Sequence, residues 1–212
     1  MELSTRKNLI TALLMTLVTT VLLGVIYPLF ITGLAHLYSK EKAGGQLITK
    51  DGVVIGSRII AQPFTGTAYF HSRPSAAGPN GYAADNSGGS NLGPTNQKLV
   101  DRVKADVAML QAENPGHPVP IDLVTTSGSG LDPHISPAAA EFQFARIAKA
   151  RGIDEKSLKM LVAQHIEARQ FGIFGEPRVN VLELNLALDE KYPVKDRRVE
   201  SIKNSESREI TR

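Results

Sequence analysis

Residues 9–35 read "LITALLMTLVTTVLLGVIYPLFITGLA" and contain no Asp, Glu, Lys, Arg or His. About 20 residues of helix cross the hydrocarbon core of a bilayer, so this run is long enough to span one with tilt to spare. A cleaved signal peptide would carry a shorter apolar stretch ending in a small-x-small site. Here the run is longer, and the residues around its end, "TGLAHLYS", make a poor cleavage site. The sequence therefore predicts a short tail over residues 1–8 and a retained transmembrane helix over residues 9–37.

Reading every fourth position of that run gives Ala12, Thr16, Thr20, Gly24, Pro28 and Thr32. A spacing of four keeps residues on one slowly drifting helical face. Helices associate in lipid through close backbone approach and hydroxyl hydrogen bonds, because lipid is as apolar as leucine. This small, weakly polar stripe is the expected packing face against another transmembrane helix. Pro28 is expected to kink the outer third of the helix. Arg6 and Lys7 precede the span, and Lys40, Lys42 and Lys50 follow it. Long following domains translocate largely regardless of such charges. The expected orientation keeps the short N-terminal tail in the cytoplasm and puts residues from about 40 onward outside.

The remaining chain is long enough for one ordinary domain. Cysteine is absent, which removes disulfides, thiolate metal sites and cysteine nucleophiles together. The formal charge of +3 is unevenly placed: residues 1–42 carry +2, residues 43–192 carry −1, and residues 193–212 carry +2. A nucleic-acid-binding domain would present a basic face of its own, so that class is set aside. The expected organisation is an extracytoplasmic α+β domain over residues 43–192 and a charged tail over residues 193–212.

Within the domain, Asp51-Gly52 supplies the positive φ angles of a tight hairpin turn, flanked by "QLIT" and the β-branched run that starts at Val53. Residues 69–96 are dense in Gly, Ser, Asn and Pro but punctuated by Tyr69, Phe70, Arg73 and Tyr82, which predicts an ordered loop that contacts something. A helix is predicted to start near Thr95, with Leu99, Val103, Val107 and Leu110 on its buried face. "IDLVTT", residues 121–126, reads as a short strand. Ser136 as N-cap and Pro137 at the first position start a helix expected to run to about Arg151. A further helix is expected from Asp154, with Leu158, Leu161, Val162 and Ile166 inward, closing at Gly172. "RVNVLELNLALDE" alternates leucines as a strand would, but Asn180-x-x-Glu183 resembles a capping box, and helix is preferred.

The segment "TTSGSGLDPHISP", residues 125–137, concentrates the residue types of catalytic loops. It fails the G-x-S-x-G pattern of a hydrolase elbow, and the chain has no Gly-Lys pair for a phosphate-binding loop. Asp132 and His134 alone are a weak metal signal, and no metal site is assigned. The simpler reading is a rigid strand-to-helix corner. Such a corner can present backbone donors to an anion or a partner.

Several stretches occur in order behind the single span: "GSRIIAQPF", "YFHSRPSA", "GGSNLGPTN", "LVTTSGSGLDPHISPAAAEFQFARIAKARG" and "GEPRVNVLELNLALD". Together they resemble the C subunit of the bacterial potassium-transporting Kdp ATPase, over about residues 5–190. The resemblance implies a single-pass, non-catalytic accessory subunit in the bacterial inner membrane. Its implied partners are a channel-like potassium-binding subunit, a P-type ATPase subunit and a small helical subunit. It implies no cofactor of the chain's own, but ATP shared with the ATPase subunit, whose ATP affinity the family is described as raising. The family glutamine proposed to contact nucleotide falls on Gln143, with Arg146 one turn on. An external domain would not meet cytosolic ATP, so either the orientation is reversed or the nucleotide role is indirect; the expectation preferred is an external domain that caps the potassium entrance. Tyr69, Phe70, Arg73 and Asn91 in the long loop, and Ser127, Ser129, Asp132 and His134 in the corner, are the candidate docking residues. A membrane-anchored solute-binding or sensor module is the alternative.

Overall fold

A computed structural model describes residues 2–194; all but the first two residues of the predicted charged tail lie outside that range. The chain is α+β, with one long apolar helix followed by a small domain of short strands and helices. Two compact units divide at residues 55 and 56.

The first unit holds α1 (Glu2–Val21), a single wide π turn (Leu22–Ile26) and α2 (Tyr27–Ala43), followed by β1 (Leu47–Lys50). Over Ser4–Ala43 this rod is long and apolar enough to cross a membrane, and its leucines, valines and phenylalanine face outward around its whole circumference. Just before Pro28, where a kink is expected, the helix widens into the π turn, in which the Tyr27 N–H bonds to the Leu22 carbonyl. A second irregularity, not foreseen, lies at Ser39, whose φ and ψ leave the helical region. Asp51 (φ 52°) and Gly52 (φ 78°) make the anticipated turn between β1 and β2 (Val53–Ser57).

In the second unit, β3 (His134–Ile135), β5 (Arg178–Asn180) and β4 (Ile166–Glu167) form a three-stranded antiparallel sheet in that order. Helices α3 (Gln97–Glu113), α4 (Pro137–Phe142), α5 (Phe144–Arg151), α6 (Glu155–Gln164) and α7 (Val181–Lys191) surround a core. Phe70, Ile135, Ile147, Leu158, Val179, Leu184 and Leu188 lie at its centre. Asn96, Ser136, Asp154 and Asn180 cap α3, α4, α6 and α7, each accepting a backbone N–H in the first turn.

Four expectations need correction. Residues 121–126 are not a strand: Pro120 starts a 3-10 turn over Ile121–Leu123, closed by a bond from Thr125 Oγ1 to the Ile121 carbonyl. The helix from Pro137 does not run unbroken to Arg151. Gln143 Nε2 donates to the Ala139 carbonyl that its own backbone N–H would use, and that N–H turns to Ala140 instead. The helix from Asp154 stops at Gln164, and Ile166, 40% exposed, pairs in the sheet rather than pointing into the core. The apolar face of α3 is the predicted one, but none of its residues is fully buried. The segment before α7 is helical as preferred, with Arg178–Asn180 added as strand β5.

Candidate functional site: a welded corner and the Gln143 cavity

The long loop and the corner, expected as two surfaces, are bonded to each other. Ser75 Oγ donates to the Gly130 carbonyl at 2.6 Å, and the Gly88 N–H and Ser87 Oγ both reach the Ser129 carbonyl at 2.9 and 3.1 Å. Gly130 sits at φ 67°, and a Cβ there would lie 2.6 Å from the Gly88 carbonyl oxygen and 2.7 Å from the Ala77 nitrogen. Only glycine lets the two backbones approach this closely. Ser129 turns its hydroxyl inward to accept the Leu131 N–H, and Ser127 Oγ lies 3.4 Å from it.

At the edge of this weld, Arg73 NH1 donates to Asp132 Oδ2 at 3.1 Å, and Asp132 Oδ1 accepts both the backbone N–H and Nδ1 of His134. Burial pushes the Asp132 carboxyl up, but the His134 bonds and the nearby charges of His134 and Arg73 outweigh it and hold the group below its ordinary range. Tyr82 donates its hydroxyl to the Arg73 carbonyl at 2.7 Å, so the arginine is held from both ends. Beside this trio opens a shallow cavity of about 500 Å³, also lined by Asp122, Glu176 and Arg178.

The candidate residues therefore divide. Arg73, Asp132 and His134 come together; Ser127 and Ser129 lie on the neighbouring face of the corner. Asn91 is exposed on the loop, in a left-handed conformation with φ 52°. Tyr69 is half-buried and bonds Asp189. Phe70 is corrected: it is 0% exposed at the centre of the core, packed edge-on against Phe144, and cannot dock a partner. The stripe residues Ala12, Thr16, Thr20, Gly24, Pro28 and Thr32 are all exposed along the apolar helix.

Gln143 and Arg146 line a second cavity, of about 310 Å³, with His71, Arg102, Asp106 and Glu113. Gln143 is only 2% exposed. Its Oε1 accepts the His71 N–H at 2.7 Å and an Arg146 N–H at 2.7 Å; its Nε2 donates to the His71 and Ala139 carbonyls. An amide offers two donor hydrogens and one oxygen with two lone pairs, so every position is already used. Arg146 is engaged with Glu113 and the carbonyls of Thr67 and Tyr69. Burial, reinforced by the Arg146 charge, lowers the His71 pKa and keeps its ring neutral.

Two residues that sequence reasoning missed complete this architecture. Asn185 in α7 does for Phe70 what Gln143 does for His71, accepting its N–H and donating to its carbonyl, both at 2.9 Å. Arg151 is wholly buried at the end of α5. It donates to the carbonyls of Ala68 and Tyr192, pairs with Asp189 at 2.7 Å, and lies 4.9 Å from the centre of the Tyr69 ring. Their partners lie far away in sequence, so local pattern carried no signal of them. Among the described residues no group of three or more His, Asp or Glu is placed to hold a metal ion.

A family model described as the K+-transporting ATPase, c chain, matches residues 9–190. A Koribacter versatilis protein named potassium-transporting ATPase KdpC subunit is 68% identical over 189 residues, spanning 89% of this chain and 97% of its own. Proteins of the same name from Rhodospirillum rubrum and Methylobacterium nodulans are 58% and 59% identical, over 89% and 81% of this chain and 98% and 90% of theirs. With the family model covering nearly the whole of the domain and the apolar helix, this chain belongs to the KdpC family of potassium-transporting ATPase subunits.

Proposed function

We propose that this chain is a non-catalytic accessory subunit of a high-affinity, ATP-driven potassium import complex of the bacterial inner membrane. It assembles with and stabilises a P-type ATPase subunit, a channel-like potassium-binding subunit and a small helical subunit. The observation that carries this reading is the family match, which takes in the apolar helix and the domain together. The welded surface around Arg73, Asp132 and His134 supports it, because a partner meeting that surface finds side chains already fixed and loses little entropy ordering them. The N-terminus lies in the cytoplasm and the domain outside, where it caps the potassium entrance.

The subunit raises the ATP affinity of its partner as a catalytic chaperone, and it does so indirectly. A direct nucleotide contact by Gln143 would have to displace a bond the amide already makes to His71, Ala139 or Arg146. The coupling instead passes along the span, with the stripe from Ala12 to Thr32 seated against a neighbouring helix.

Three measurements test this. Paired C-terminal reporter fusions, one active only outside the membrane and one only inside, should give signal from the outside reporter alone. Detergent extraction should recover the chain with polytopic partners, and deletion should abolish growth at low potassium. Recovery as a free monomer together with unaffected growth would overturn the reading.

A further inference from the structure

The loop between β4 and β5 ends in a turn that the assignment above does not use. Gln170 and Phe174 exchange backbone bonds of 2.8 and 2.9 Å, closing a narrow bridge. Phe171 (φ 54°) and Gly172 (φ 74°) carry the chain round the tip in left-handed conformations. For a phenylalanine this is an unusual backbone, held by the bonds from Gly172 and Ile173 back to the carbonyls of Arg169 and Gln170. The turn thrusts three large apolar side chains into solvent: Phe171 is 83% exposed, Ile173 71% and Phe174 64%. At its base Arg169 pairs with Glu176 at 2.6 Å and Arg178 with Glu167 at 2.8 Å, so the charges cancel.

We propose that the turn at residues 171–174 is a membrane-surface anchor that seats Phe171, Ile173 and Phe174 in the interfacial zone of a lipid bilayer. The proposal rests on the membrane reading of the apolar helix. Two features choose lipid over a protein. Three such side chains present on the order of 400 Å², against about 800 Å² per partner in a stable protein interface, so neither a second copy nor a freely diffusing protein is held by the tip alone. A bilayer needs no such area when the chain is already tethered to it, since the tip then inserts as an intramolecular event at high effective concentration. The cancelled charges at the base make the attraction independent of anionic lipid, and side chains of this kind sit about 5–10 Å into the headgroup and acyl boundary.

The chain contains no tryptophan, so a single introduced one reports its own surroundings. The full-length chain, reconstituted in phosphatidylcholine vesicles with bromine at shallow or deep acyl positions, would carry Phe171→Trp or, in a second protein, Ile173→Trp. Leu17→Trp serves as the reporter within the apolar helix, and Ile121→Trp as an exposed site elsewhere on the domain. The tip reporters should be quenched several-fold more than position 121, most strongly by shallow bromine, and equally when anionic lipid is added. Quenching at position 17 with none at the tip overturns the anchor and leaves a protein cleft as the occupant. Equal quenching at position 121 also overturns it, as general adsorption of the domain. No quenching at position 17 means instead that the membrane reading itself has failed.

Discussion

Residues 58–96 and residues 135–191 build the same domain by different means. The second stretch is mostly helix and strand outside the loop at residues 168–177, and its leucines meet Phe142 and Phe144 in the core. The first has no helix or strand and contributes only Ala61, Phe70 and Ala77 to the buried apolar set. It is nevertheless ordered, because side chains from elsewhere bond its backbone: Asn185 to Phe70, Gln143 to His71, Arg151 to Ala68 and Arg146 to Thr67 and Tyr69. Buried peptide groups need partners whether or not they lie in regular structure. Where no ladder supplies them, amides and guanidinium groups do. The helical part should therefore fail by cavity formation, and the irregular part by stranded polar atoms.

The largest effect should come from the side chain that joins the two parts. Arg151→Met removes the ion partner of the half-buried Asp189 and leaves the Ala68 and Tyr192 carbonyls without their donor, and a loss of about 3–5 kcal/mol is expected in thermal or denaturant unfolding of the detergent-solubilised chain. Leu158→Ala, a purely apolar deletion in the helical part, should cost about 2–5 kcal/mol and lower protection from hydrogen exchange throughout the domain. Gln143→Leu should cost about 1–3 kcal/mol by stranding the His71 peptide. Its exchange signature should be local, with amides near residue 71 opening first. If Gln143→Leu and Leu158→Ala loosen the same amides to the same degree, the two parts are not held differently and the contrast breaks.

The smallest expected effect sharpens the contrast through pH. His71 has its pKa lowered by burial and by Arg146, so the unfolded chain takes up the proton before the folded one does. Stability should therefore decline as pH falls below the ordinary histidine value of about 6.5, in the direction set by linkage. His71→Gln should flatten that part of the curve while leaving the two Gln143 bonds to the residue-71 backbone in place.

How much of this was legible follows from the range of each interaction. The apolar rod, the Asp51-Gly52 turn and the caps at Ser136 and Asn180 depend on neighbours within a few residues, and the sequence pattern located them. The break at Gln143 goes with a side chain shared between the Ala139 carbonyl and the backbone of residue 71, and the end of α6 with strand pairing to Val179. Neither partner is visible from the local run, where helix propensity alone argues for continuing. Phe70 was misplaced as a docking residue because a phenylalanine in a Gly/Ser-rich loop looks exposed. The fold buries it by bringing α7 across the loop, which no short-range rule predicts. Likewise the serines of the corner resembled catalytic groups, whereas the Ser129 hydroxyl accepts the Leu131 N–H and its carbonyl accepts the Gly88 N–H of the loop.

The paired amides at Asn185 and Gln143 grip Phe70 and His71 by atoms that every amino acid except proline possesses. That stretch is thus addressed chiefly by its main chain, and the side chain of residue 71 adds only a bond from its ring to the Gly66 carbonyl. A variant library at position 71 should tolerate broad chemistry and reject proline, which would erase the N–H that Gln143 reads.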